Sequence, residues 1–240
     1  MISSLGTKLK FGMISSDVEA IDILRENLPE SLSHAALFAR AEVAHKWKAP
    51  FRSAILKDCL HWRLYDLAQQ ATQLNEAKQF LGAQILTRCA LETIGMLVYL
   101  NDQIQEVISG KLDFHKFDSI TRQLLLGKRL EEAKYKSINI LTVLKKMDRH
   151  YPGVWRIYEM LSEGAHPNFD STCHGYSKID HETLTTHYSV MWNERMPTKP
   201  AGMIAASVII FKKEYERWIC LFEELEKWIV RNDAQLEATK

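Results

Sequence analysis

The stretch that decides the fold lies at residues 204–229 and reads IAASVIIFKKEYERWICLFEELEKWI. Large apolar side chains recur along it at steps of four and three, at Ile204, Val208, Phe211, Tyr215, Trp218, Phe222, Leu225 and Ile229. Such a heptad spacing is typical of a long helix that packs against one or two neighbours. It predicts a C-terminal bundle helix. Packing within one chain and a homodimer through this helix both satisfy the pattern, and the first is the commoner arrangement.

The rest of the chain extends the helical prediction. No proline occurs between Pro50 and Pro152, and proline is the residue that breaks helix interiors. We therefore predict an all-α fold, an antiparallel multi-helix bundle in a single domain over residues 1–240. We predict that one helix begins at a capping box at Ser16 and that another runs from Pro29 toward Lys48. Both helices would lie within residues 1–50 and pack on a main bundle over 51–240. Ala49-Pro50 would be the break between the two parts.

One segment does not fit a helix. Residues 167–200 are rich in Asp, Ser, Thr, His and Tyr, and polar and apolar residues alternate around Thr183 to Met191. This pattern predicts either a long irregular loop or a small β-hairpin. Connections of this length in compact domains are commonly functional.

Composition narrows the function classes. The chain has 240 residues, 46% hydrophobic, and its 31 Lys and Arg against 30 Asp and Glu give a net charge of +1. Disorder is excluded, and net charge gives no general attraction to nucleic acid or lipid. Four isolated cysteines, Cys59, Cys89, Cys173 and Cys220, predict no disulfide framework and a cytoplasmic location. We also predict no membrane segment and no cofactor, since no signal peptide, Walker loop, dinucleotide fingerprint or HExxH motif is present.

Arg88 and Glu92 are the first candidate site residues. They are four residues apart in an apolar helical stretch, so they share one helix face, and Tyr99 continues roughly the same stripe. One interpretation is a structural ion pair that ties neighbouring helices together. The other is a half-buried guanidinium that faces an anionic ligand and is held in place by Glu92.

A second candidate lies at residues 160–168, MLSEGAHPN. Ser162 and His166 are four residues apart where Pro167 ends a helix, with Glu163 and Asn168 beside them. A histidine among these polar groups suits general acid–base chemistry. It suits a helix C-cap equally well, because the ring can donate to the terminal carbonyls.

Two weaker patterns concern metals and phosphates. His174, His181 and His187 follow His166 at intervals of eight, seven and six, which match no standard metal spacing, so we predict no metal site and keep these histidines as weak candidates. Basic residues cluster between Arg122 and Arg149. They indicate either a phosphate-attracting surface or, more commonly, a solvated helix face.

The order of these motifs resembles an uncharacterised family of bacterial helical proteins. The residues that carry the resemblance are Arg88, Glu92, Leu161, Ser162, Glu163, His166, Pro167 and Asn168. More distantly the chain is similar to the higher eukaryote and prokaryote nucleotide-binding (HEPN) superfamily. That resemblance implies antiparallel helical bundles, often homodimeric, many of which are metal-independent endoribonucleases of toxin–antitoxin and phage-defence systems.

The resemblance leaves the activity open between two classes. Active members carry an arginine a few residues before the histidine, where this chain has Met160, Leu161 and Ser162, and only Arg88 from another helix could replace it. We expect mainly an interaction protein of a defence or toxin–antitoxin system, with RNA or a nucleotide as a candidate ligand. The alternatives are a metal-independent endoribonuclease or nucleotide-processing enzyme that uses His166, Arg88 and Glu92, and a metal-dependent hydrolase that uses the loop histidines. In the metal-independent enzyme, the substrate would be contacted by Ser162, Glu163, Asn168 and Tyr99.

Overall fold

The computed structural model describes residues 14, 16–195 and 202–239. These residues form ten α-helices, α1 to α10: Asp17–Glu26, His34–Arg40, Glu42–His45, Lys48–Glu76, Phe80–Ile108, Phe114–Leu126, Ile140–His150, Val154–Glu163, Trp192–Arg195 and Met203–Ala238. Between α8 and α9 lie a π-helical turn at Asp170–His174 and two short strands, β1 (Ser177–Asp180) and β2 (Thr185–Tyr188). The predicted all-α bundle is therefore confirmed.

Three long helices, α4, α5 and α10, form the centre of the bundle. The apolar seam of α10 is buried by other helices of the same chain, so the predicted C-terminal bundle helix is confirmed. A homodimer through α10 would have to use another face of this helix. Trp218 illustrates the packing, because its ring stacks on Phe222 with centroids 4.4 Å apart and its indole nitrogen donates to Ser53 Oγ at 2.8 Å. Both aromatic rings are fully buried.

The N-terminus of α10 is capped by a side chain from another helix. Its N-cap residue, Gly202, is in the left-handed conformation with φ of 79° and provides no side-chain cap. Instead the carboxylate of Asp17, at the start of α1, accepts the Gly202 N–H at 2.9 Å and the Ala205 N–H at 2.8 Å. The predicted cap of α1 itself is confirmed, because Ser16 Oγ accepts the Glu19 N–H at 3.2 Å. A residue of the first helix, Asp17, thus caps the last helix.

The predicted helix boundaries before residue 51 are wrong. No helix runs from Pro29 to Lys48, since α2 begins at His34 and the chain breaks at Ala41 and again at Trp47. Pro50 does not end a helix but lies in the first turn of α4, which begins at Lys48. The physical reason is that N–H groups of a first turn have no intrahelical acceptor, so the missing proline donor costs nothing there.

Part of the segment 167–200 forms a small hairpin, one of the two predicted alternatives. Its strands pair antiparallel, with Ser177 opposite Tyr188 and Asp180 opposite Thr185. Ile179, Leu184 and Tyr188 are exposed, so the hairpin buries little of its apolar surface in the described chain. Residues 196–200 of the predicted segment lie outside the described residues.

Within the described ranges, α5 is the one helix that is long and apolar enough to cross a membrane. More than half of its apolar window is buried inside the bundle, as in the core helices of soluble proteins.

Candidate functional site

An open cleft of about 1120 Å³ lies between α5, α8, the start of α7 and the segment that connects α6 to α7. We call it the cleft throughout. Its lining residues are Arg88, Lys128, Arg129, Lys136, Ser137, Ile138, Asn139, Ile140, Leu141, Trp155, Tyr158, Glu159, Ser162, Glu163 and His166. Arg88 and His166, which are far apart in the sequence, therefore face the same open space.

Arg88 is held at this site by a triangle of side chains. Its Nη2 donates to the Tyr158 hydroxyl at 2.8 Å and lies 3.3 Å from Glu92 Oε1, and the same hydroxyl donates to Glu92 Oε1 at 3.0 Å. The guanidinium carbon also lies 5.0 Å from the centroid of the Tyr158 ring. Partial burial alone lowers the pKa of Arg88, but the Tyr158 and Glu92 contacts outweigh it and raise that pKa, so the group stays cationic.

The predicted pairing of Arg88 with Glu92 is confirmed, and both interpretations of the pair retain support. The contacts through Tyr158 tie α5 to α8, as expected for a structural ion pair. Arg88 also lines the cleft, as expected for a guanidinium that faces a ligand.

His166 lies just beyond the last turn of α8 and is exposed. No residue of the described chain makes a hydrogen bond to its imidazole, so the C-cap interpretation, in which the ring donates to helix carbonyls, is wrong. The last turn of α8 is satisfied instead from α5, because Gln84 Nε2 donates to the carbonyls of Met160 at 3.1 Å and Leu161 at 3.3 Å. This frees the ring of His166 to meet a ligand.

The polar residues around His166 have local partners. Ser162 Oγ donates to the Tyr158 carbonyl at 2.7 Å, and the Glu163 carboxylate accepts a bond from the Asn168 amide. Asn168 also builds a turn, since its Oδ1 accepts the Ser171 N–H at 3.0 Å. Ser162 and Glu163 line the cleft, whereas Asn168 supports it from outside the lining.

Tyr99 does not join the site. It lies about three turns along α5 from Arg88, is 9% exposed, and packs under Lys146, whose Nζ is 4.7 Å from the ring centroid. Burial raises the pKa of its hydroxyl. Tyr99 is therefore not part of the cleft lining, in contrast to its predicted place among the substrate-binding residues.

Within the connection from α6 to α7, residues 127–137 form a basic loop that lines the cleft with Lys128, Arg129 and Lys136. Lys128 and Lys136 pair in an isolated parallel bridge, in which the Lys128 N–H donates to the Tyr135 carbonyl at 3.0 Å. Lys136 Nζ closes the loop by donating to the carbonyls of Leu130 at 3.0 Å and Glu131 at 2.6 Å. The side chains of Lys128 and Arg129 are exposed and make no ion pair within the described residues.

Gly127 allows the basic loop to fold back this closely. A Cβ at this position would lie 2.2 Å from the Gln123 carbonyl oxygen and 2.8 Å from the Ser137 Cα, both backbone atoms. Any larger residue would push apart the two ends of the loop, residues 127 and 137. Gly127 thereby fixes the position of Lys128 and Arg129 against the start of α7.

The cleft also contains apolar, aromatic and acidic groups. Trp155 is placed by the end of α7, because Asp148 Oδ1 accepts the N–H groups of Gly153 and Trp155, each at 3.0 Å. Four cationic side chains of the lining stand against two carboxylates, Glu159 and Glu163. The lining is therefore net positive but not uniformly so.

The weak metal candidates do not converge. The His174 ring stacks on Phe169 with centroids 6.0 Å apart, His181 lies exposed in the hairpin turn, and His187 faces Lys178 across the strands. In the ranges the structure describes, no group of three His, Cys, Asp or Glu residues is placed to hold a metal ion. The geometry gives no support to the metal-dependent hydrolase.

Comparisons with protein-family models, curated proteins and solved structures gave no match to this chain. The resemblance to the HEPN superfamily therefore stays a prediction that rests on the eight residues quoted above.

The sequence patterns do not point to two parts of the site. Tyr158, which links Arg88 to Glu92, has no distinguishing spacing. Lys128, Arg129 and Lys136 belong to the predicted basic cluster, but nothing periodic in the sequence places them in the cleft. Pairs four residues apart in a helix can be found in a sequence, whereas a cleft lining built by a loop cannot.

Proposed function

We propose that this chain is a binding protein whose cleft holds a phosphate-bearing ligand, a nucleotide or RNA. The observation that carries the proposal is that Arg88 and His166 line one open cleft together with Lys128, Arg129 and Lys136. Membership of a bacterial defence or toxin–antitoxin system, a cytoplasmic location and a homodimer stay predictions beside it.

Charge and size both support a ligand of this class. Phosphate oxygens are bound in proteins chiefly by Arg and Lys side chains, and Lys128 and Arg129 are exposed without an ion-pair partner in the described chain. Pockets for small ligands usually measure about 300–1000 Å³, so a cleft of about 1120 Å³ has room for a nucleotide or a short stretch of RNA.

Fluorescence anisotropy with a labelled single-stranded RNA tests this proposal. We expect binding that weakens as salt rises, because phosphate contacts release counterions. Each lost phosphate contact reduces the slope of log K against log salt by about 0.7 for a single strand, so Lys128→Ala/Arg129→Ala should reduce it by about 1.4. Lys136 is unsuitable for this test because its ammonium group closes the loop.

A charge-matched control comes from the far end of α5. Lys111→Ala/Lys116→Ala also removes two exposed cations, but Lys111 follows the end of α5, about 30 Å along that helix from Arg88. This variant should keep the affinity and the salt slope of the wild type. Absence of RNA binding by the wild type, or equal losses in both double variants, would refute the proposal.

Metal-independent RNA cleavage is a second candidate function. The observation that favours it is the exposed His166 ring, free of hydrogen bonds from the described chain, in the same cleft as Arg88. His166 would take the proton from a ribose 2′-hydroxyl as the 2′ oxygen bonds to phosphorus. The 5′ oxygen would leave with a proton from water, giving a 2′,3′-cyclic phosphate and a 5′-hydroxyl, while Arg88, oriented by Glu92, would stabilise the added negative charge.

Incubation of purified protein with RNA in EDTA tests this candidate. We expect fragments that end in a cyclic phosphate, loss of cleavage in His166→Ala, and full cleavage in His181→Ala, which removes an exposed histidine of the hairpin turn. RNA that stays intact at high protein concentration, while it binds in the anisotropy assay, would leave binding as the function and exclude cleavage.

A further inference from the structure

Glu159 does not fit a cleft that only attracts phosphate. Its side chain is exposed in the lining, and no residue of the described chain makes a hydrogen bond or ion pair with it. The other lining carboxylate, Glu163, is already engaged by Asn168. A free carboxylate repels an anion but accepts hydrogen bonds, so a ligand that carries N–H donors as well as a phosphate would suit this lining.

An aromatic ring lies beside Glu159 in the cleft and favours a flat ligand group. Trp155, Glu159 and Glu163 follow one another at four-residue steps on α8, so Trp155 and Glu159 are neighbours on one helix face, with Cβ atoms about 5–6 Å apart. The Trp155 ring is partly exposed and carries the Lys145 ammonium 5.1 Å from its centroid. An aromatic ring beside an acceptor pair suits a flat group with donors along its edge.

We propose that Glu159 makes the cleft selective for guanine, with the base against Trp155 and the phosphate toward Lys128 and Arg129. This inference rests on the proposed function and names the base that the same site prefers. Guanine is the base with two adjacent donors, N1–H and the N2 amino group, which match the two oxygens of a carboxylate as a bidentate pair.

The other three bases fit Glu159 less well. Adenine and cytosine each place a ring acceptor beside the amino group, and this acceptor would face the second carboxylate oxygen. Uracil has a single N–H between two carbonyl oxygens. An arginine side chain would offer paired donors but no anion for Lys128 and Arg129, so a guanine nucleotide satisfies both walls of the cleft and an arginine only one.

Calorimetric titration with the four nucleoside 5′-monophosphates tests the inference at constant phosphate charge. The wild type should bind GMP about tenfold more tightly than AMP, within the range of discrimination measured for good bidentate contacts. Glu159→Gln should abolish this preference without weakening AMP. Glu132→Gln, an exposed carboxylate of the basic loop outside the lining, should retain it.

Labelled RNAs separate a free nucleotide from a nucleotide within a strand. An oligouridylate with one central guanosine should bind more tightly than oligouridylate alone if the ligand is RNA, and equally if the site takes only free nucleotides. Lys128→Ala/Arg129→Ala should weaken all four monophosphates alike.

Equal affinities for the four monophosphates in the wild type would overturn base selection while leaving phosphate binding intact. A GMP preference that persists in Glu159→Gln would overturn the role of Glu159. Failure to bind any of the monophosphates or the RNAs would refute the proposed function itself.

Discussion

His61 should make the folded state lose stability as the pH falls from 6.5 to 4. Its ring, in the middle of α4, is 4% exposed and packs between Phe211 and Tyr215, with centroids 5.3 and 5.5 Å away. Its Nε2 lies 3.1 Å from the Leu24 carbonyl. Burial, assisted by the charge of Lys57, lowers the pKa of His61 from 6.5 to about 4, although the Leu24 carbonyl opposes the shift.

The sign and size of the effect follow from this shift. Above pH 6.5 His61 is neutral in both states and contributes no pH dependence. Below pH 6.5 His61 becomes protonated in the unfolded chain but stays neutral in the folded protein. The free energy of unfolding therefore falls until the pH reaches the folded pKa of about 4. One pKa unit corresponds to about 1.4 kcal/mol, which gives a loss of about 2 kcal/mol by pH 5 and about 3 kcal/mol by pH 4.

Urea unfolding of wild type and His61→Gln at several pH values between 7 and 4.5 measures this loss. Glutamine offers an N–H to the Leu24 carbonyl but does not titrate, so the variant should lose less stability over this range, and the difference between the two curves isolates His61. His181→Gln, which removes an exposed histidine, should follow the wild type. Parallel curves for wild type and His61→Gln would refute the reasoning.

Three further predictions concern particular contacts. Asp17→Ala should lower the free energy of unfolding by about 1 kcal/mol by uncapping α10, whereas Asp17→Asn, which keeps one of the two acceptor oxygens, should lose less; equal losses in urea unfolding would contradict this. Glu214→Ala should cost about 2–4 kcal/mol, because it leaves the Tyr151 hydroxyl and the Asn101 amide, which donate to this buried carboxylate at 2.7 Å each, without an acceptor; a loss below about 1 kcal/mol would argue against a buried network. Gly127→Ala should displace the basic loop and weaken RNA binding, and an unchanged affinity would show that the loop does not form the binding wall.

The bundle could be predicted because its determinants are local. The four–three spacing of α10 is a property of one segment, and burial of Phe211, Trp218 and Phe222 follows directly from it. The boundaries near Pro50 could not be predicted as well, since proline ends a helix in the interior but is neutral in the first turn. Which of the two applies depends on where Trp47 leaves the helical conformation, and the sequence has no strong cap signal there.

The site was predictable only where its geometry lies within one helix. Arg88 and Glu92 pair because four residues make about one turn. The prediction that Ser162 and His166 share the end of a helix before Pro167 is wrong, because α8 ends at Glu163 and His166 lies beyond it. The convergence of Arg88 with His166 depends on how α5 packs on α8, through Tyr158, which periodicity does not reveal. The basic wall depends on a backbone approach at Gly127, which has no pattern of its own in the sequence.

The Asp17 cap has a consequence for the order of events in folding. Its two hydrogen bonds join residues separated by 185 and 188 positions, so they form only after α1 and the start of α10 have met. Closing so long a loop is slow compared with forming helices from local contacts. If the cap is absent from the transition state, its loss accelerates unfolding and leaves the refolding rate unchanged. Asp17 would then slow the unfolding of the folded bundle without changing the rate at which the bundle forms.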